Sequence, residues 1–336
     1  MSRFGAVILG CAGPVLSDEE ISLFSETRPF GFILFDRNLR DAQQIRALCD
    51  GLRAAAGHDA PIFIDQEGGR VQRLRPPLAR GWAPPLEDAE AAEAERRFYV
   101  RGRLIAQELR ALGIDGNCVP TLDIARPDTH PVLRNRCYGT DRDSVIRNGR
   151  ALVAGCREGG VLPVMKHMPG HGRGTLDSHL DLPRVSTPQA LLSNEDFATF
   201  AAFADLPLAM TAHLVFEDID PRPATLSPVM IRLIRGEIGF DGVLMTDDIS
   251  MQALSGGVAE RGLAARAAGC DVILHCNGDL AEMRALCEAV GTMDTAAEQR
   301  AERALAARTA PQPVDIDALR AEADGFFAQD LRPDPA

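Results

Sequence analysis

Along the chain, eight short apolar runs alternate with longer segments whose apolar residues recur at helical spacing. The runs cover residues 4–9, 31–35, 61–64, 116–120, 162–165, 207–211, 242–246 and 271–275. Most are continuous rather than alternating, which is the pattern of strands buried on both faces of a parallel sheet. The intervening segments predict helices at 18–28, 40–56, 89–112, 143–158, 194–204, 227–237, 258–268 and 280–290. Within 40–56, Ile45, Leu48, Cys49 and Leu52 share one face. Ser17, Asn194 and Ser227 stand at expected helix starts. Gly113, Gly239 and Gly269 follow helices where a left-handed cap is expected.

Eight β/α alternations in one continuous chain predict an α/β fold of the (β/α)8 type, a single-domain barrel. A doubly wound sheet would usually use fewer strands and carry a glycine-rich phosphate loop after the first. Here Gly10-Cys11-Ala12-Gly13-Pro14 does not match G-x-G-x-x-G. Residues 295–308 read as a further helix and 315–328 as a terminal one. The expected organisation is a barrel over 1–310, with 311–336 a C-terminal helix and frayed tail packed on the barrel or extending from it.

Charge narrows the classes of partner. Lys plus Arg total 36 and Asp plus Glu total 48, a net charge of −12, which argues against nucleic acid as a partner. No run of apolar residues is long enough for a membrane span, and the first ten residues do not resemble a signal peptide. The expectation is a monomer in the cytoplasm. The eight cysteines are scattered without a C-x-x-C pair, as suits free thiols in a reducing compartment. Of the 36 basic residues only Lys166 is a lysine.

Ionisable residues gather where the predicted strands end, which is where barrel chemistry resides. The third run leads into Asp65-Gln66-Glu67-Gly68-Gly69-Arg70-Val71-Gln72-Arg73, the fourth into Thr121-Leu122-Asp123, and the fifth into Lys166-His167. The sixth leads into Thr211-Ala212-His213 and the seventh into Thr246-Asp247-Asp248. Helix capping would account for Asp123 and Asp248, but not for apolar strands that end in Lys-His and Ala-His. The densest segment runs from Lys166 to His179 and holds three of the seven histidines. From His167 to Asn194 there is no strong periodicity, a long loop of the functional kind, and Gly170, Gly172 and Gly174 would let it move. Asp177 and His179, two residues apart, lie on one side of an extended stretch. A carboxylate there can fix the tautomer of the imidazole and raise its pKa.

At these residues the chain resembles a known family. Lys166–Gly172, then Asp177-Ser178-His179 and Leu182-Pro183, is similar to the signature of the bacterial β-N-acetylhexosaminidases of glycoside hydrolase family 3. Asp65–Arg73, Arg136-Cys137-Tyr138-Gly139 and Thr246–Met251 resemble its other motifs, in the family's order. The resemblance implies a single-domain retaining glycosidase with Asp247 as nucleophile, His179 as acid/base and Asp177 orienting it. Residue physics alone does not choose Asp247 over Asp248. The resemblance further implies that Asp65, Arg73, Arg136, Lys166 and His167 hold N-acetylglucosamine. Glu67 and Arg70 are read as scaffold for their turn, and His213, Asp248 and His171 as pocket wall or supporting groups. The implied substrate is a small-molecule sugar, the terminal β-linked N-acetylglucosamine of muropeptides in cell-wall recycling, with no cofactor and no metal. Two other readings are open: a phosphorylase, in which phosphate replaces water, and a metal-dependent barrel hydrolase using His167, His171, Asp177, His179, His213 and Asp247.

Overall fold

A computed structural model of the chain describes residues 3–176 and 182–330. Eight strands are β1 Gly5–Gly10, β2 Pro29–Leu34, β3 Ile62–Ile64, β4 Gly116–Asn117, β5 Leu162–Met168, β6 Leu208–Thr211, β7 Val243–Met245 and β8 Ile273–His275. They pair in parallel and in chain order from β1 to β7, and β8 lies on the other side of β1. A bridge between Met245 and Val272 joins the two outer strands and closes the ring. The main helices are α1 Asp18–Thr27, α2 Ala42–Ala56, α3 Ala94–Ala111, α4 Arg142–Glu158, α5 Asp196–Ala201, α6 Pro228–Gly236, α7 Val258–Ala268 and α8 Leu280–Val290. The chain continues through α9 Thr295–Ala306 and α10 Ile316–Asp330. This is a (β/α)8 barrel, as the rhythm of apolar runs predicts. The strands read as unbroken apolar runs because one face fills the barrel and the other meets the helices, and every residue of β1 and β2 is buried.

Local signals explain most boundaries. Ser17 caps α1 by accepting from the Glu20 N–H, and Glu20 returns the bond to the Ser17 N–H. Asp41 and Asp141 cap α2 and α4 by accepting the Gln44 and Ser144 N–H groups. Gly113, Gly239 and Gly269 all adopt positive φ.

Two helices depart from expectation. The pattern at 89–112 divides into a short helix, Pro85–Glu90, and α3, with Glu93 left-handed (φ 57°) at the junction. The helix expected at 194–204 is instead Gln189–Asn194 followed by α5. The stretch before it, expected to lack structure, also holds the strand Arg184–Val185, parallel to Val215–Phe216. A strand of two residues and a helix of six are too short to set a detectable period.

Helices α3 and α4 approach each other closely in the outer ring. A Cβ on Gly102 would stand 2.4 Å from the Leu152 carbonyl, and one on Gly155 would stand 2.4 Å from the Tyr99 carbonyl. Glycine therefore sets how near the two backbones come. α10 lies on α3, with Leu319 and Ala323 buried and Glu322 accepting from both Arg96 Nε (2.6 Å) and Arg96 Nη2 (2.8 Å). Among the described residues no helix is long and apolar enough to cross a membrane.

Replacing Gly102 by Ala forces these helices apart. We expect Gly102→Ala to lower unfolding stability by about 1–3 kcal/mol, read as a reduced urea midpoint at unchanged slope. An unchanged midpoint would show that the contact relaxes without cost.

Candidate active site

The C-terminal ends of the strands converge on a cavity of about 320 Å3. Phe35 follows β2, Asp65 follows β3, and Lys166 and His167 lie within β5. Asp247 and Asp248 follow β7, and Cys276 follows β8. Arg73 and Arg136 reach in from the loops after β3 and β4, and His171 from the turn after β5. Apart from Asp177, His179 and His213, every sequence-predicted site residue lines this one cavity. Asp177 and His179 lie outside the described residues.

A buried ion network forms the floor. The Lys166 Nζ lies 2.8 Å from Asp65 Oδ1 and 2.6 Å from Glu67 Oε1, and the lysine is 2% exposed. The other oxygen of Asp65 accepts from Arg73 Nη2 at 3.1 Å. Glu67 accepts both Arg136 Nε (2.9 Å) and Arg136 Nη2 (2.8 Å), a two-pronged guanidinium–carboxylate pair. Burial alone would raise both carboxyls, but the cations overcome it. Lys166 and Arg73 hold Asp65 well below the usual carboxylate range, and Arg136 and Lys166 bring Glu67 down to about 2. Burial likewise opposes the charge on Lys166, and Asp65 and Glu67 more than restore it. Three cations and two carboxylates thus stay charged together, leaving the floor with a net positive charge that can meet sugar hydroxyls and developing negative charge.

The histidines are set by a carboxylate, Asp123, that bonds them and caps no described helix. Asp123 Oδ2 stands 2.8 Å from His167 Nδ1, and its Oδ1 accepts the His171 N–H at 2.6 Å. With Nδ1 so held, His167 Nε2 faces Arg136 Nη2 at 3.3 Å. The ring of His171 packs edge-on against that of His167, with centroids 5.8 Å apart. Among the described residues neither His171 ring nitrogen has a hydrogen-bond partner. Burial, reinforced by His167, lowers its pKa to about 4.

The two aspartates after β7 have different surroundings. Asp248 Oδ1 accepts from Ser250 N (3.1 Å) and Cys276 N (3.1 Å), and its Oδ2 accepts from Ser250 Oγ (2.7 Å). Both of its oxygens are engaged. Asp247 accepts one bond, from the Asp248 N–H to Oδ1 at 2.8 Å, and no described residue donates to its Oδ2. Burial works against its charge, but the rings of His213 and His167, the Asp248 N–H and the Lys166 ammonium outweigh it and hold the carboxyl ionised. His213 is fully buried behind the cavity wall. Its Nε2 donates to the Asp248 carbonyl (3.0 Å) and its Nδ1 meets Thr225 Oγ1 (2.8 Å). Burial lowers its pKa. It acts by holding the Asp248 backbone.

Sequence reasoning missed two members. Glu67 is more than scaffold for a turn, because it is a partner of both Lys166 and Arg136. Its signal was position, since Asp65 and Glu67 are two residues apart in an extended segment and so face the same way. Asp123 carried no signal beyond standing at a strand end. One glycine after Lys166 has a packing role in the described part of the loop. A Cβ on Gly172 would stand 2.4 Å from the Ile124 carbonyl, so Gly172 permits close packing. Arg173, paired with Glu195 (2.6 Å) and Asp196 (2.7 Å), ties that part to α5.

This arrangement has counterparts in known proteins. The profile of the glycosyl hydrolase family 3 N-terminal domain matches residues 15–307. A β-hexosaminidase of Alkalilimnicola ehrlichii is 39% identical over 282 residues, covering 81% of this chain and 81% of the relative. One from Xanthomonas campestris pv. campestris is 36% identical over 302 residues, covering 87% of this chain and 90% of the relative. Among solved structures, NagZ from Neisseria gonorrhoeae in complex with N-trifluoroacetyl-D-glucosamine is similar with a TM-score of 0.82 and 30% identity. That match covers 97% of this chain and 96% of NagZ. With a barrel of this kind, a matching profile over most of its length and β-hexosaminidases as its relatives, the chain belongs to glycoside hydrolase family 3 and is one of its β-N-acetylhexosaminidases.

Proposed function

We propose that the protein is an exo-acting, retaining β-N-acetylglucosaminidase that releases terminal β-linked N-acetylglucosamine from peptidoglycan fragments in cell-wall recycling. The observation that carries this reading is the Asp247 carboxylate oxygen to which no described residue donates. It belongs to an ionised group in the same cavity as the Lys166–Asp65–Arg73 cluster. A cavity of about 320 Å3 is at the small end of ligand sites and suits one terminal sugar better than a polymer. The complex of gonococcal NagZ with an N-acylated glucosamine supports the same sugar class. All eight cysteines are free, in keeping with a reducing cytoplasm.

In this mechanism Asp65 accepts hydrogen bonds from sugar hydroxyls, and Arg73, Arg136, Lys166 and His167 complete the grip. Asp247 Oδ2 attacks the anomeric carbon as the glycosidic bond breaks. The imidazolium of His179, oriented by Asp177, gives its proton to the departing oxygen. Neutral His179 then takes a proton from water, the water oxygen bonds to the anomeric carbon, and the glycosyl ester opens to return the Asp247 carboxylate. The metal-dependent alternative gains no support from the geometry. His167 and His213 each have both ring nitrogens facing protein partners, and among the described residues no group of three His, Cys, Asp or Glu is placed to hold a metal ion.

Intact-mass analysis after incubation with a slow fluorinated N-acetylglucosaminide, followed by peptide mapping, tests the nucleophile. We expect one glycosyl adduct on Asp247, and an adduct on any other residue overturns the assignment. In phosphate buffer the product should be free N-acetylglucosamine, whereas accumulation of its 1-phosphate would make the protein a phosphorylase.

For the acid/base pair, Asp177→Ala and His179→Ala should each lower kcat by about 10²- to 10⁴-fold while sugar binding, measured by calorimetry, changes little. Near-normal turnover by both variants would remove them from the mechanism.

Lys166→Arg keeps the charge but replaces a compact ammonium with a planar fork beside Arg136. We expect it to weaken N-acetylglucosamine binding by roughly tenfold, measured as an inhibition constant. Unaltered binding would mean that only the charge at this position matters.

A further inference from the structure

One cation at the cavity has no task in the mechanism above. Arg70 lines the cavity and is exposed. Among the described residues its guanidinium has no ion pair and no hydrogen-bond acceptor. By contrast, the nearby Arg73 and Arg136 are both committed to carboxylates. The acids of the cavity do not neutralise Arg70 either. Asp65 lies between Lys166 and Arg73, and Asp248 is bonded to Ser250 and Cys276.

Arg70 is also held in place. It occupies the tip of a small hairpin in which Gln66–Gly68 pairs antiparallel with Val71–Gln72. Gln66 Oε1 accepts the N–H groups of Arg73 and Leu74, each at 3.0 Å, and Gln72 Oε1 accepts the Trp82 N–H at 3.0 Å. Asn117 Oδ1 accepts the Gln66 N–H at 2.9 Å, which fastens the hairpin to β4. A side chain on such a support is presented in a fixed region, at low ordering cost.

A second donor lines the same cavity. His130 Nδ1 accepts the Val132 N–H at 3.3 Å, which leaves Nε2 to carry the ring proton. Val132 and Leu133, the next apolar residues on that side, also line the cavity.

We infer that Arg70 and His130 form a subsite for a carboxylate on the aglycone, the group attached to the sugar that is released, with Val132 and Leu133 covering its apolar part. The inference rests on the glycosidase reading above and adds a preference for anionic leaving groups to it. A chain of net charge −12 repels anions at long range, and Arg70 offers a local cation at the cavity to offset that repulsion.

The test compares two β-N-acetylglucosaminides, of 4-hydroxyphenylacetate and of 4-hydroxyphenylacetamide. The methylene keeps the leaving oxygens chemically alike while only the first carries charge. We expect wild-type kcat/KM to favour the carboxylate by about three- to fivefold at low ionic strength, the range of one exposed ion pair, and the preference to fade in 0.5 M salt, taken as roughly the level at which such pairs are screened. In Arg70→Gln the ratio of the two kcat/KM values should fall to about one, and Arg70→Lys should restore part of it. Equal kcat/KM values in a wild-type enzyme that cleaves both, a preference insensitive to salt, or a preference retained in Arg70→Gln would each overturn the subsite and leave the glycosidase reading standing. Failure to cleave either glycoside would overturn the glycosidase reading and the subsite with it.

Discussion

The pocket depends on the buried ammonium of Lys166. A cation taken this far out of water is costly unless it is paired and bonded, and Asp65 and Glu67 meet that requirement from the end of β3. The dependence is mutual. Without Lys166, Asp65 and Glu67 would face the same space as two like charges, and one of them would tend to take up a proton. Arg73 and Arg136 extend the network to the loops after β3 and β4, and Arg136 touches His167, which Asp123 holds from the other side. The C-terminal ends of β3, β4 and β5 are therefore bound together by charge as well as by the backbone ladder. Arginine supplies all the other basic side chains, but the three donors of an ammonium suit a site pressed between two carboxylates, with one guanidinium already beside it.

Facing this network, the closing seam of the barrel sets the position of Asp247. Thr246 Oγ1 accepts the Leu274 N–H at 3.0 Å, and Asp248 accepts the Cys276 N–H at 3.1 Å, so the residues on either side of Asp247 are both bonded to the segment of β8. Asp247 itself commits no side-chain atom to that seam, and among the described residues its Oδ2 has no donor, although both aspartates follow the same apolar strand. His213 supports the arrangement from behind by bonding the Asp248 carbonyl.

Much of the fold was legible in the residues. The eight apolar runs match the eight strands because a strand buried on both faces must be apolar throughout. Ser17 and Gly269 marked helix ends because capping is satisfied within a few residues of the chain. The misplaced helices, at 89–112 and 194–204, are those where a left-handed residue or a short preceding helix interrupts the period. In the site, Lys166 stood out by position and Asp247 was set apart from Asp248 only by the family motif, while Glu67 and Asp123 read as a turn residue and a cap.

What the sequence by itself determined is therefore the barrel, the end of it that carries the chemistry, and the family to which its motifs belong. These follow from hydrophobic periodicity and from groups that lie close along the chain. Only the tertiary structure decided which charges neutralise one another, which of two adjacent aspartates keeps an oxygen that no described residue engages, and which cavity arginine has no ion pair among the described residues. Lys166 and Asp65 are 101 residues apart in sequence and 2.8 Å apart in space. Coulomb attraction and hydrogen bonding depend on the second separation, and folding alone sets it.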